Sequence, residues 1–208
     1  KDEPKHFKIG RYVDDFMFRK AEDLSVDGSD EAEIAAACGL ELTFNTDVNK
    51  LMMACQYQVV VIGDNPRRKG LIDLLPDPAK CDPMLLDYVF DLKTAADASE
   101  DGFRDACAKF GYHIQAAYYM DLLQAAGRKV TTFGFIVVET KPPHCVAIRY
   151  LPMDSREIRK GRESYQRWLK DYQACVEKRE WPGYGESWTR VEFKPWQLRE
   201  GDEAQKIS

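Results

Sequence analysis

Gly70-Leu71-Ile72-Asp73 and Asp91-Leu92-Lys93 decide the fold. Each aspartate closes an apolar run that reads as a β-strand. Tyr57 to Ile62 and Gly70 to Leu75 make one pair, and Leu85 to Leu92 makes a third strand. Strand alternation puts Asp91 and Lys93 on one face and turns Leu92 into the opposite layer. Acidic residues at the rim of a buried sheet are poor choices for stability, but good ones for holding a divalent cation beside a phosphate. A hard cation such as Mg²⁺ takes carboxylate and carbonyl oxygens plus water, and an ammonium two residues on can orient one of those waters. The chemistry implied is metal-dependent attack on a phosphodiester.

Outward from these strands, the apolar periodicity of Ile9, Tyr12, Val13, Phe16 and Met17 predicts a helix over residues 8–22. The acidic stretch from Asp23 to Glu33 reads as a loop, and Glu31 to Cys38 is ambiguous. Thr46-Asp47 caps a helix through Lys50, Leu51, Met52 and Cys55. Gly63-Asp64-Asn65-Pro66 turns the first two strands into a hairpin, and Pro76, Pro78 and Pro83 mark the loop to the third. Asp101 to Ala126 reads as one long helix ending at Gly127. Two more strands follow, Thr131 to Val138 and Val146 to Leu151. Asp154 to Lys178 then forms an amphipathic helix with Ile158, Tyr165, Trp168, Leu169, Tyr172 and Val176 as its buried stripe. The expectation is a single α/β domain over residues 1–208, a mixed and mostly antiparallel sheet flanked by helices, with a frayed tail after about 197.

At 208 residues and 44% hydrophobic, the chain is long enough for one packed domain. It contains no apolar run of about 18 residues, so no membrane span is expected, nor does its start resemble a signal peptide. The chain opens at Lys1, and the natural protein is expected to extend upstream. Cys38, Cys55, Cys81, Cys107, Cys145 and Cys175 are scattered without a CxxC pair, which fits reduced thiols in a cytoplasmic protein. A net charge of −5 does not advertise nucleic-acid binding, but local fields rather than totals steer a polyanion. Local positive clusters occur at Arg67-Arg68-Lys69, at Arg156, Arg159, Lys160 and Arg162, and at Lys178-Arg179.

Beyond the Asp-x-Lys strand, Gln115 and Tyr119 lie four apart and so share a helix face. A Gly-x-x-Asp strand, an Asp-x-Lys strand and a Gln-x-x-x-Tyr helix, in that order, resemble the PD-(D/E)XK nucleases of the RecB type. Three segments bring the likeness closer to the RecE-type phage recombination exonucleases (exonuclease VIII): Asp91-Leu92-Lys93-Thr94-Ala95-Ala96-Asp97, Tyr112-His113-Ile114-Gln115-Ala116-Ala117-Tyr118-Tyr119 and Glu180-Trp181-Pro182-Gly183-Tyr184. The resemblance runs from about Phe7 to Trp196. It implies a restriction-endonuclease-like core and a site in which Asp73, Asp91, Lys93, Gln115 and Tyr119 are catalytic. Asp73, Asp91 and the Leu92 carbonyl would hold one or two Mg²⁺ or Mn²⁺ ions.

The family pattern puts a further ligand on the first helix, often histidine in Gly-x-x-x-His; Gly10 to Asp14 supplies an aspartate instead, as either a ligand or a structural carboxylate. His113 reads as a core or supporting residue. The cysteine spacing does not fit the iron–sulfur branch of the superfamily, so no cluster is expected. The resemblance further implies 5′ to 3′ digestion of linear duplex DNA in a bacterial or phage-infected cell, a homo-oligomeric ring and a single-strand annealing partner. Arg67, Arg68 and Lys69 are candidates for contacting the DNA. The alternatives are an endonuclease using the same site, or a non-catalytic DNA-binding relative.

Overall fold

The computed structural model describes residues 3–19, 28–64, 67–183, 188 and 190–193. The Asn65-Pro66 turn, the part of the predicted first helix beyond Arg19, the first five residues of the acidic stretch, Tyr184, Pro195-Trp196 and the tail after 197 lie outside them. Among the described residues, six helices and five strands follow in the order α1 (Lys5–Phe18), α2 (Asp30–Phe44), α3 (Thr46–Met53), β1 (Cys55–Asp64), β2 (Arg67–Pro76), β3 (Tyr88–Ala95), α4 (Glu100–Phe110), α5 (Tyr112–Ala125), β4 (Thr132–Glu139), β5 (Val146–Pro152) and α6 (Arg156–Lys178), with a short 3₁₀ turn at Pro83–Leu85.

The sheet runs β1-β2-β3-β4-β5. Three pairings are antiparallel and β3–β4 is parallel, so the sheet is mixed and mostly antiparallel as expected. A parallel pair needs a crossover, and α4 and α5 supply it. That crossover lays α5 over the face on which Ile72, Val89, Phe133, Phe135 and Val137 pack against Ala116, Met120 and Leu123. The opposite face carries Leu74, Phe90, Leu92, Ile136 and Val138, covered by Ile9 and Val13 of α1, Cys38 and Leu42 of α2, and Val48 and Leu51 of α3.

The chain divides into two compact units, residues 1–169 and 170–208. The first holds the sheet and its two helical layers. Within the second, Trp181 lies against Tyr172 with ring centroids 5.8 Å apart, and both residues are largely exposed.

Several boundaries differ from the sequence reading, each for a local reason. The acidic stretch does not run as a loop to Glu33: α2 starts at Asp30, with Asp30, Glu31 and Glu33 in its first turn, where carboxylates complement the helix dipole. The cap of α3 is Asn45 rather than Thr46, its side chain accepting the Val48 N–H at 3.1 Å, and Cys55 belongs to β1. The long helix predicted over 101–126 is two helices. Gly111 breaks it with φ +72°, a conformation that ends α4 and that glycine adopts without steric penalty. The buried stripe of α6 covers only its first half: Ile158, Gly161, Ser164 and Tyr165 are buried, while Trp168, Tyr172 and Val176 are exposed. Of the six cysteines, all free thiols, Cys38, Cys55 and Cys81 are buried and Cys145 is exposed.

Candidate active site

The hairpin distorts where Asp73 sits. Tyr57 pairs with Leu74 and Val59 with Ile72, but the position between them is missing from the ladder, and Gln58 there has φ +52°. This left-handed residue within a strand lets β2 switch faces. Ile72 packs under α5, Leu74 joins the α1 layer, and Leu75 returns to the α5 side. At the same place β2 parts from β3, leaving Leu74 opposite Phe90 as their one paired position.

The Asp73 carboxylate fills the gap so opened. Its Oδ2 accepts the Leu92 backbone N–H at 3.1 Å, in the place of a ladder bond, and its Oδ1 accepts from Gln58 Nε2 at 3.2 Å. In an extended strand the N–H and C=O of one residue point to the same side, so the Leu92 carbonyl also faces Asp73.

Asp91 and Lys93 project from β3 onto the α5 side, as alternation requires. Asp91 is 2% exposed; its Oδ1 accepts from Gln115 Nε2 at 2.8 Å and its Oδ2 pairs with the Lys93 ammonium. Gln115 also acts on the Tyr119 hydroxyl, holding its pKa down against burial, and Lys93 Nζ stands 5.1 Å from the centroid of the Tyr112 ring. Gly70 lets this helix approach closely, since a Cβ there would lie 2.8 Å from Leu122 and 3.2 Å from Tyr119.

From the other layer, Gly10 brings α1 against Thr94 of β3, where a Cβ would stand 3.3 Å from Thr94 Oγ1. Asp14, one turn on, feels Asp91 and Lys93, and Asp73 feels Asp14. The site therefore sits in a seam: Asp91, Lys93, Gln115 and Tyr119 above, Asp73 in the plane of the sheet, Asp14 from below.

The electrostatics follow from this crowding. Burial, then Asp91 and Asp14, push the Asp73 carboxyl up to about 8, with Lys93 and the Leu92 N–H opposing. Burial first and Asp91 second raise Asp14 to about 7. Lys93 is disfavoured as a cation by burial, but the attraction and hydrogen bond of Asp91, with Asp73 adding to it, overcome this and raise its pKa. Tyr119 and Tyr112 are raised chiefly by burial.

Carboxylates held against their preference for solvent form a site that a divalent cation would relieve. The donor set suits a hard metal: two acidic side chains, a carbonyl turned to the same gap, and a third carboxylate close by. Among the described residues no three His, Cys, Asp or Glu side chains already close on one point. Lys93 holds the Asp91 oxygen instead, as the internal counter-charge.

The structure thus brings Asp14, Asp73, Asp91, Lys93, Gln115 and Tyr119 together. Two contributors were not read from the sequence, Gln58 and Tyr112. Gln58 gave no signal, because its role depends on a backbone twist; Tyr112 is visible only as a residue three before Gln115, one turn back on the same helix. Arg68 leans on Tyr118, its guanidinium 5.9 Å from the ring, and the Lys69 carbonyl accepts the Tyr118 hydroxyl. The Arg67 side chain lies outside the described residues. His113 packs away from the seam, Nδ1 3.4 Å from the Cys107 carbonyl.

A mixed sheet whose third strand carries Asp-x-Lys beside a crossover helix carrying Gln is the layout of the PD-(D/E)XK nuclease fold. The chain belongs to the family described as PDDEXK-like domain of unknown function (DUF3799), which matches residues 74–191. That span takes in Asp91, Lys93, Gln115 and Tyr119, and leaves out Asp14 and Asp73. The fold is similar to that of a "Putative exonuclease" from Eubacterium rectale, at TM-score 0.66 and 18% identity over 94% of this chain and 78% of that one. A phage related exonuclease from Haemophilus somnus 129PT aligns over 86% of this chain and 85% of its own at 15% identity, with a TM-score of 0.43 that is too low to bear on the fold. No curated protein matches the chain significantly. Among the described residues no helix is long and apolar enough to cross a membrane.

Proposed function

We propose that this protein is a metal-dependent DNA exonuclease that hydrolyses phosphodiester bonds at the ends of linear duplex DNA. The observation that carries the reading is the seam itself, where Asp73 and Asp91 face a gap in the sheet with Lys93 and Gln115 hydrogen-bonded around them. Bound Mg²⁺ or Mn²⁺ would polarise the phosphate and lower the pKa of a water.

The chain's own residues do the rest. Asp73 and Asp91, with the Leu92 carbonyl, would hold the ion, and Asp14 would add charge from the α1 layer. Lys93, held beside Asp91, would orient the attacking water with its ammonium and offset charge developing on phosphorus. Gln115 holds Asp91 through its amide, and Tyr119 stands one turn on along the same helix face. Arg68 and Lys69, at the start of the Asp73 strand, are proposed to meet the DNA backbone, together with Arg67.

The RecE-like motifs support 5′ to 3′ polarity, action in phage-type recombination beside a single-strand annealing protein, and a ring of identical chains. A ring would reconcile a net charge of −5 with DNA, since positive residues need line only the channel. Digestion of end-labelled linear duplex with Mg²⁺ tests activity and polarity together. Closed circular duplex should survive; its cleavage would replace the exonuclease by an endonuclease with the same site. Undiminished digestion by both Lys93→Ala and Asp73→Ala would overturn the assignment of the site.

A further inference from the structure

Helix α5 and strand β3 meet in two rungs. Gln115 reaches Asp91, and one turn back along the helix Tyr112 reaches Lys93, whose Nζ stands over the ring 5.1 Å from its centroid. Three residues of helix advance ~4.5 Å and two residues of strand ~6.6 Å, so a crossover helix running against the strand matches one side chain to each partner. The first rung is a hydrogen bond. The second sets a cation against an aromatic face.

Tyr112 owes its place to the break before it. Gly111, at φ +72°, ends α4 and opens α5, so Tyr112 is the first residue of the new helix. Three other rings then hold its ring. Phe103 and Phe110 of α4 lie 5.9 and 5.8 Å away between centroids, inclined at 29° and 28°, and Phe135 of β4 stands at 6.1 Å. Phe135 is also the residue opposite Asp91 in the β3–β4 ladder. The Lys93 side chain is 17% exposed and pairs with Asp91, but its flexible four-carbon stem gives the ammonium other places to go. The negative face of a ring attracts a cation, most strongly where water is excluded, by a factor of about five to thirty in population. An aliphatic side chain of similar bulk fills the same space without that attraction.

We propose that Tyr112 is a positioning residue for the reaction: its ring face holds the Lys93 ammonium over the seam, where the attacking water and the phosphate would meet it. The consequence for cleavage rests on the nuclease reading; the hold on Lys93 does not. The test separates the ring from its bulk. Acetylation of Lys93 by an N-hydroxysuccinimide ester is followed by mass spectrometry on the full chain in EDTA, with the exposed Lys50 and Lys80 as internal references.

Wild type and Tyr112→Phe should label Lys93 slowly and alike. Pentafluorophenylalanine at the same position keeps the shape of Phe and reverses the charge of the ring face. That protein and Tyr112→Leu should label Lys93 about five- to tenfold faster, with the references unchanged. On end-labelled duplex with Mg²⁺ the same two should lose about fivefold or more in kcat and keep KM within about twofold, because the substrate's own contacts are untouched.

Equal labelling of Lys93 in the Phe and pentafluorophenylalanine proteins overturns the proposal, because packing alone then suffices. Fast labelling in Tyr112→Phe does so too, by moving the effect from the ring to the hydroxyl. If Tyr112→Leu melts early, the fluorinated protein decides alone. Wild-type cleavage with labelling indifferent to the ring would remove the role of Tyr112 and leave the nuclease. Ring-dependent labelling without any wild-type cleavage would keep the hold on Lys93 and remove the nuclease.

Discussion

Replacing Asp73 by Asn should stabilise the metal-free protein while destroying its activity. The Asp73 carboxyl is pushed up to about 8 by burial, Asp91 and Asp14, from an ordinary value of 3.8. A folded-state pKa above the unfolded one means that the contribution is intact below 3.8 and is lost as pH rises through 8. Between those limits the unfolded chain has released the proton and the folded chain still holds it, so each pH unit favours unfolding by ~1.36 kcal/mol. At pH 7 that amounts to about 4 kcal/mol, and at pH 5 to under about 2 kcal/mol.

Asn keeps the shape and can accept the Leu92 N–H, and the Gln58 amide can turn to pair with the new NH₂, but Asn has no proton to hold. Urea unfolding in EDTA should therefore show the stability difference between Asp73→Asn and wild type growing by about 3 kcal/mol from pH 5 to pH 7. At ~2–4 °C per kcal/mol for a chain of this size, the melting temperatures should separate by about 6 °C or more over the same interval. Mg²⁺ should raise the wild-type midpoint at pH 7 and leave the variant unmoved. A difference that stays constant with pH, or a variant less stable at pH 7, refutes the account of a carboxylate held against its preference.

Lys93→Ala removes the partner of the nearly inaccessible Asp91. Metal-free stability should fall by about 3–5 kcal/mol, part of it returning with Mg²⁺ in a calorimetric scan, and cleavage should fall at least about a hundredfold. Gln58→Gly relieves the left-handed backbone, worth ~1–2 kcal/mol, so stability should hold within about 1 kcal/mol. Loss of the donor to Asp73 should weaken metal affinity about tenfold, seen in a Mn²⁺ titration, with the rate at saturating metal near wild type. Gly70→Ala places a methyl 2.8 Å from Leu122 and 3.2 Å from Tyr119. It should cost about 1–3 kcal/mol by overpacking and reduce activity by lifting Gln115 from Asp91, measured by denaturation and by cleavage of labelled duplex.

The hairpin and the Asp-x-Lys strand are legible in the sequence because their apolar runs are bounded by Gly, Pro and charged residues. Asp91 and Lys93 share a face by alternation alone. Gln115 and Tyr119 are legible only by their order after that strand. What the chain does not spell out is non-local. Nothing around Gln58 announces a residue with positive φ, because the twist is imposed where β2 leaves β3. The α4–α5 break hides in an otherwise continuous helical pattern, since a single glycine is tolerated in many helices and only the crossover geometry selects its left-handed form. The stripe of α6 was overextended because Trp168, Tyr172 and Val176 keep helical spacing past the point where they are buried.

The seam makes the site depend on the whole fold. Asp14 reaches the gap only when α1 has docked under β3, Asp73 only when the hairpin has twisted and parted from its neighbour, and Gln115 only when the crossover to β4 has closed. These events belong to both layers and to residues spread over about half of the chain, so the three come together only when both layers have formed. A divalent cation would therefore find its full set of carboxylates only in the finished fold.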